Sequence, residues 1–551
     1  MTTRELGAEL GGIALLWLPG SGLLQFVPGL RRLSALRRQG YAYLLGTAAV
    51  GGSLFAASHL LAIPLRRPAI WGAALLPAAA GLGAALLRRR RGRDGGLRPA
   101  GSGGARAPRD GARRPAIGWR WLAWTAVAVA CVGPLASALS APLADWDGRM
   151  TWSAQAAYLR AEGTVDAEAL RDARWYVVHP RYPPLLPLAQ AAIQEAFGAG
   201  ADEQLFRGAY VGFLAALLLV VYDGARRAAG AAAATATALA AALLPFLSYG
   251  PGGATSAYSD LPLAAFYGGA LVLLLAGRPR AADGLAGGFL LAGAVLSKNE
   301  GLPLALLALL LGALRLRAGG RRRRRDRSSP RLRWLGAALL PAVLALALLA
   351  SWSAGIPNRE DEGYLSSLHA GALLSGAVSR LPVIAEGIWR STFRWDYWHG
   401  FWAVAVIVLL VGWRGLRGAL SRRMMIAAAG PPAIAWAAYA VTTHQLSGLV
   451  LETWSRFLEH ATLPLLVLFA QALADVCERL RSGQKALRYG AGGLLEASIG
   501  SPPATPADPL PGCPEPPGPC PAAAGGEGDA PAPSRTNASA QPPEAGELTL
   551  S

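Results

Sequence analysis

Along the chain, apolar stretches rich in Ala, Leu, Val and Gly alternate with short arginine clusters. Within each stretch the apolar residues are continuous and do not alternate with polar ones, a pattern that predicts helices and not strands. Crossing a bilayer takes about 20 apolar residues of helix. Only helices and closed barrels satisfy their backbone polar groups in lipid. About 13 spans are predicted by hydropathy, beginning near Leu10, Tyr43, Ile70, Trp119, Gly208, Ala231, Leu261, Gly284, Leu302, Trp334, Phe401, Met424 and Phe457. The expected fold is an all-α polytopic membrane protein, a bundle of about 11–13 transmembrane helices with large outer loops. Pro19 and Gly20 interrupt the first span, which suggests a re-entrant or interfacial segment.

The arginine clusters set an orientation. Arg31 to Arg38, Arg88 to Arg120, Arg226 and Arg227, Arg315 to Arg333, and Arg414 to Arg423 belong inside by the positive-inside rule. Counting spans between them gives a consistent alternation, with Arg66 and Arg67 a minor exception on the outer side. Residues 88–115 and 319–330 are rich in Gly and Arg and read as disordered inner segments. The Pro-, Ala- and Gly-rich tail from Gly500 reads as an unstructured cytoplasmic extension, on which the Asn537 sequon would be silent. Three regions follow: 1–116 with the N-terminal helices and an Arg-rich inner loop, 117–476 as the main membrane domain, and 477–551 as the tail.

Composition changes this picture little. Of 551 residues 53% are hydrophobic, and the mean hydropathy is +0.32, which excludes an ordinary soluble domain. The net charge of +19 would suit nucleic acid, but the basic residues sit between apolar spans, where topology accounts for them. Lys298 and Lys485 are the only lysines. Cys131, Cys477, Cys513 and Cys520 have no metal-ligand spacing, so neither a zinc site nor a disulfide frame is expected. The N-terminus lacks a basic stretch before its apolar segment, so no removed signal peptide is expected.

Two outer insertions stand out against tight connections elsewhere: residues 142–207 and 354–398. Long ordered loops are usually functional. His179, His369, His399, His444 and His460 fall on this outer face or its edge.

Several residues there have chemical potential. Asp145 and Asp147, one residue apart, can face one site if the segment is extended, as base and metal ligand or base and hydrogen-bond acceptor. The plain alternative is a solvated loop end. Met150, Ala154, Ala157 and Tyr158 share a helical face, suggesting an interfacial helix with Trp152 and Tyr158 as belt residues. In His179-Pro-Arg-Tyr182-Pro-Pro-Leu-Leu-Pro, four prolines fix a rigid path that presents His179 or Tyr182, or simply returns the chain to the membrane. Asp260 opens a span, either as a helix cap or as a site carboxylate. Lys298 and Glu300 interrupt two apolar spans, and ionisable groups at that depth are costly and usually functional. The alternative for them is a hairpin turn with a local ion pair; on the outer side Lys298 would meet a lipid-carrier phosphate. Arg456 and His460, one turn apart, make a one-faced cationic pair, unless they only snorkel to the interface.

Five motifs occur in order: Asp145-Trp-Asp-Gly-Arg-Met-Thr-Trp, His179-Pro-Arg-Tyr-Pro-Pro-Leu-Leu-Pro, Tyr258-Ser-Asp-Leu-Pro-Leu, Ser297-Lys-Asn-Glu-Gly and Arg456-Phe-Leu-Glu-His. Together they resemble bacterial members of the GT-C superfamily of membrane glycosyltransferases, of the family 39 type, which includes protein O-mannosyltransferase-like and aminoarabinose-transferase-like enzymes. The resemblance runs roughly from Trp119 to Ala474. It implies a GT-C-like bundle and a polyprenyl-phosphate-linked sugar donor used on the outer face of a bacterial inner or plasma membrane. The acceptor would be a lipid, glycan or protein. It implies an acidic base at Asp145 or Asp147; we expect inverting transfer with Asp147 preferred as the base. Donor-phosphate contacts are implied at Lys298, Arg456 and His460, and substrate contacts at His179, Tyr182, Asp260 and Glu300. The residues themselves name no certain cofactor; a divalent metal held by the acidic pair and His179 stays open. Gln155 stands where relatives often have lysine, and Gly148 where they often have alanine. The rival classes are a transporter or lipid flippase, for which no inverted repeat is visible, and a non-catalytic scaffold.

Overall fold

A computed structural model describes residues 3–94, 117–172, 174, 179–198, 203–277, 279–318, 329–357, 370–442 and 444–498. His369, Cys513, Cys520, the Asn537 sequon, the tail from Gly500 and most of the two Gly/Arg-rich inner segments lie outside these residues. The described residues contain helices and no strands. The main helices are α1 (Thr3–Leu23), α2 (Ala35–Leu61), α3 (Arg67–Asp94), α4 (Ile117–Ser140), α5 (Ala154–Glu162), α6 (Leu185–Phe197), α7 (Gly208–Ala242) and α8 (Asp260–Leu271). They continue with α9 (Ala281–Val295), α10 (Gly301–Ala318), α11 (Ser329–Ser353), α12 (Ala370–Ser379), α13 (Leu381–Thr392), α14 (Phe401–Val411), α15 (Ala419–Val441) and α16 (Leu446–Ser498).

Among the described residues, 8 helices are long and apolar enough to cross a membrane, and three shorter apolar ones accompany them. The chain is an all-α polytopic membrane protein. It divides into a unit over Met1–Ala486 and a second over Leu487–Ser551. Of the second, residues 487–498 are described, all helical. All thirteen predicted span starts fall inside described helices. Gly208 and Ala231 share α7, which is broken at Gly230, whose φ of 86° no helix accommodates.

Lipid gives helices little hydrophobic reason to associate, so close backbone approach between small residues holds them. The clearest case is α1 against α2. A Cβ on Gly20 would stand 1.7 Å from the Ala42 carbonyl oxygen, and one on Gly46 would stand 1.8 Å from that of Leu16. The first span is therefore not re-entrant. It runs as a continuous helix through Pro19, and Gly20 serves the crossing instead of a break. Similarly Gly284 lies against Trp334 and Gly288 against Ala338, so α9 and α11 run parallel.

Two loop expectations also change. The second insertion carries helix over most of residues 370–398. In α13 Trp389, Leu381 and Val383 are exposed while Ile384, Gly387 and Ser391 are buried, the division of an amphipathic helix lying at an interface. Trp152, expected in an interfacial belt, is instead only 1% exposed, inside a π-helical turn at Gly148–Ser153. Trp152 packs on Tyr182, because that turn faces inward.

Candidate functional site

Four segments distant in sequence meet at the end of the bundle where α4 stops and α8 begins. Arg207 donates to the carbonyl of Ala141, just past the end of α4. Asp145-Trp146-Asp147 follow. Gly148 then passes so near the loop before α8 that a Cβ there would stand 2.2 Å from the Ser256 carbonyl oxygen. That approach lets the Asp147 backbone N–H donate to the Tyr258 hydroxyl at 3.3 Å. Asp260 is the first residue of α8 and is fully buried. Lys298 sits in the tight α9–α10 turn, closed by a 2.9 Å bond from the Gly301 N–H to the Lys298 carbonyl. Gly301 is required because a Cβ would meet the Ala294 carbonyl oxygen at 2.0 Å. Arg456, Glu459 and His460 lie on one face of α16, three and four residues apart.

Asp260 is the hub. Its Oδ1 accepts from Lys298 Nζ at 2.8 Å, and its Oδ2 lies 3.0 Å from both Nε and Nη2 of Arg456. His460 Nε2 is 3.3 Å from Oδ1, without the alignment of a hydrogen bond. Arg456 also donates from Nη1 to Asp147 Oδ2 at 3.0 Å, and its guanidinium lies 4.8 Å from the Tyr258 ring centroid. Lys298 Nζ reaches Glu300 Oε1 at 3.0 Å. Arg456 thus bridges Asp147 and Asp260, and Lys298 bridges Asp260 and Glu300.

Exposure is graded across the network. The Asp147 side chain is 33% exposed, Glu300 22%, Arg456 14%, Lys298 5% and Asp260 0%. Burial alone would lower the Lys298 pKa, but the Asp260 and Glu300 carboxylates hold it above its ordinary value. Burial alone would raise that of Glu300, but the Lys298 ammonium holds it below. The Tyr258 hydroxyl is pushed up, by burial first and then by the Asp147 carboxylate.

The structure therefore brings together Asp147, Asp260, Lys298, Glu300, Arg456 and His460. Asp145 shares no side-chain bond with them, although its charge is felt at Asp147 and Tyr258. Residues 146 and 147 already belong to a helical turn, so Asp145 and Asp147 do not share the single face of an extended segment. The Asp145 carboxyl pKa is raised, by burial first; the Arg207 guanidinium opposes the rise and the Asp147 carboxylate adds to it. His179 and Tyr182 form an aromatic wall: their rings stack at 4.5 Å, and Trp152 packs on Tyr182 at 5.4 Å. His179 has φ 54°, a strained left-handed conformation for a residue with a side chain. Gln155 Nε2 donates to its carbonyl at 2.9 Å, and a 3.0 Å bond from the Leu185 N–H to the Leu296 carbonyl ties this segment to the turn bearing Lys298. The metal set imagined from the acidic pair and His179 does not form, since no group of three His, Cys, Asp or Glu among the described residues is placed to hold an ion.

Sequence reasoning missed Glu459. It is fully buried beside Asp260, with neither carboxyl oxygen hydrogen-bonded. Its signal was present: an acid within an apolar helix, three residues after Arg456. Arg207 and the Tyr258 hydroxyl were also passed over.

With Glu459, four carboxylates face two fixed cations and one histidine. Both cations are already engaged by carboxylates, with which an incoming anion would compete. Asp147, the most exposed partner, is the one most easily exchanged. Compared with family models, curated proteins and solved structures, the chain matches none significantly.

Proposed function

We propose that the chain is an inverting membrane glycosyltransferase that takes a sugar from a polyprenyl-phosphate donor and acts at the outer face. The observation that carries this reading is the Arg456 bridge between a buried carboxylate and a partly exposed one. Asp260 holds the guanidinium in place. Nη1 is then aimed at a position now filled by Asp147 and suited to a phosphate oxygen.

In this reading the donor phosphate takes the Nη1 position and releases Asp147. The freed carboxylate removes a proton from the acceptor hydroxyl or amine as that group attacks the anomeric carbon. The bond from the anomeric carbon to the phosphate oxygen breaks, and polyprenyl phosphate leaves with an added negative charge. Arg456 and Lys298 stand where that charge develops. Fixed donors of this kind commonly contribute about a hundred- to a thousand-fold in rate. The stacked rings of His179 and Tyr182, backed by the buried Trp152, provide a flat face for a sugar ring or an acceptor. The outer placement rests on the arginine clusters at the opposite ends of the spans.

The test is reconstitution in sealed vesicles with an envelope lipid extract containing polyprenyl-phosphate sugars. The expected result is a covalent glycosylated product with release of polyprenyl phosphate, absent with Asp147→Asn. Movement of the lipid between leaflets without any covalent product would instead identify a flippase.

A further inference from the structure

A second polar cluster lies at the same end of the bundle and belongs to none of the motifs above. His59 is near the end of α2, Asp166 is in the loop after α5, and Ser351 is in the last turn of α11. Because α9 and α11 run parallel, Ser351 and Lys298 share one end of the bundle. His59 Nδ1 lies 3.0 and 3.1 Å from the two oxygens of Asp166, and His59 Nε2 lies 3.1 Å from Ser351 Oγ.

We propose that Ser351, His59 and Asp166 form a second reactive centre, a serine nucleophile with a histidine base, suited to acyl esters at the membrane surface. An ionised carboxylate only accepts, so Asp166 requires the proton on Nδ1. The neutral ring then has its lone pair at Nε2, facing Ser351 Oγ. The Ser351 hydroxyl is shared between that lone pair and the Leu348 carbonyl, 2.9 Å away. Such constellations are recognised by geometry and role and not by order in the chain.

The surroundings fix the cluster. Arg171 Nη2 donates to Asp166 Oδ1 at 2.8 Å and fixes that carboxylate in place. The Asp166 backbone N–H donates to Thr164 Oγ1 at 3.1 Å, and the Val165 N–H to Ser58 Oγ at 3.0 Å. Trp352, next to Ser351, donates from Nε1 to the Val165 carbonyl at 3.0 Å. These bonds lock α2, the loop and α11 together. The cluster is nevertheless open: Ser351 is exposed, and the His59 and Asp166 side chains are 16% and 25% exposed. Arg171 Nη2 also comes within 3.3 Å of where a Cβ on Gly355 would be, about one turn beyond Ser351.

The chemistry balances with these groups and water. Ser351 Oγ bonds to the acyl carbon while its proton passes to His59 Nε2. The carbon–oxygen bond to the alcohol breaks, and His59 returns the proton to that alcohol. Water then repeats the sequence, releasing the acid and restoring Ser351.

A fluorophosphonate probe on the detergent-purified full chain tests this directly. The Oγ–P bond forms, the P–F bond breaks, fluoride leaves, and His59 takes the proton. The expected result is a Ser351 adduct by peptide mass spectrometry, absent in Ser351→Ala. Labelling should be at least about tenfold slower in Asp166→Asn and His59→Gln, by analogy with triads that lose their orienting acid. If wild-type protein with a sharp thermal transition leaves Ser351 unlabelled, or if His59→Gln labels at the wild-type rate, the cluster only staples helices and the proposal is overturned. The labelling does not depend on glycosyl transfer, so either reading can fail alone.

Discussion

Replacing Asp260 with Ala should be among the most damaging single changes to this protein. Its carboxylate is 0% exposed and lies within 3.0 Å of Lys298 and Arg456. Charge-assisted bonds are each worth about 1.5–3 kcal/mol, but summing them overstates the loss. Lys298 keeps Glu300 and Arg456 keeps Asp147. The better guide is the cost of stranding buried charges by removing one partner, about 3–5 kcal/mol. Unfolding entropy near 2.1 cal/mol/K per residue gives about 1 kcal/mol/K for the Met1–Ala486 unit. The melting temperature in detergent should then fall by about 3–5 °C. That is a floor, because helices persisting in detergent reduce the entropy. The decisive comparison adds Lys298→Met, which removes the stranded ammonium and fills its volume. The double variant should melt above the sum of the singles by at least about 1 °C, a coupling of about 1 kcal/mol or more. Effects that add within about 0.5 kcal/mol would mean that Asp260 and Lys298 do not share a buried interaction, and the hub would be wrong.

Further outcomes follow from the same geometry. Arg456→Ala should lower transfer about a hundred- to a thousand-fold with a raised KM for the lipid donor, measured by product formation in vesicles; an unchanged KM would remove Arg456 from the donor site. Asp147→Asn should abolish transfer at normal protein abundance, while Asp145→Asn, turned toward Arg207, should retain most of it. Glu300 gives a pH signature. Its lowered pKa means a stabilisation present above its ordinary value of 4.5 and lost as pH falls through the lowered one. The melting advantage of wild type over Glu300→Gln should shrink below that pH, and a constant difference would contradict the Lys298–Glu300 pair. Gly46→Val should cut the yield of folded protein, because its side chain would collide with the Leu16 carbonyl; normal yield would place the α1–α2 crossing elsewhere.

Much of this was legible in the sequence because membrane physics is local. Twenty apolar residues make a span wherever they occur. The helix break at Gly230 was visible as two adjacent span starts. Asp260, Lys298, Glu300, Arg456 and His460 were visible because charge at membrane depth needs a reason. What could not be read was the pairing. Nothing local says that Arg456 spends one nitrogen on Asp147 and two on Asp260, across roughly 200 to 300 residues of chain. Gly20 looked like a break because a helix-crossing glycine and a helix-ending glycine are the same letter. Asp145 and Asp147 looked like a pair because the chain was taken as extended there, but a helical turn begins between them, at Trp146. Glu459 was overlooked within the same motif that supplied Arg456 and His460.

The central claim is a lipid-phosphate site open to the outside at Asp147. Trp146, its neighbour, is 62% exposed and makes a suitable reporter. In a variant carrying Trp146→Cys and no other cysteine, reaction with a membrane-impermeant maleimide on intact cells, with and without added polyprenyl phosphate, reads both location and ligand. The account predicts rapid modification from outside that slows when polyprenyl phosphate is present. Modification only after the cells are permeabilised, or at a rate indifferent to the lipid phosphate, would contradict it.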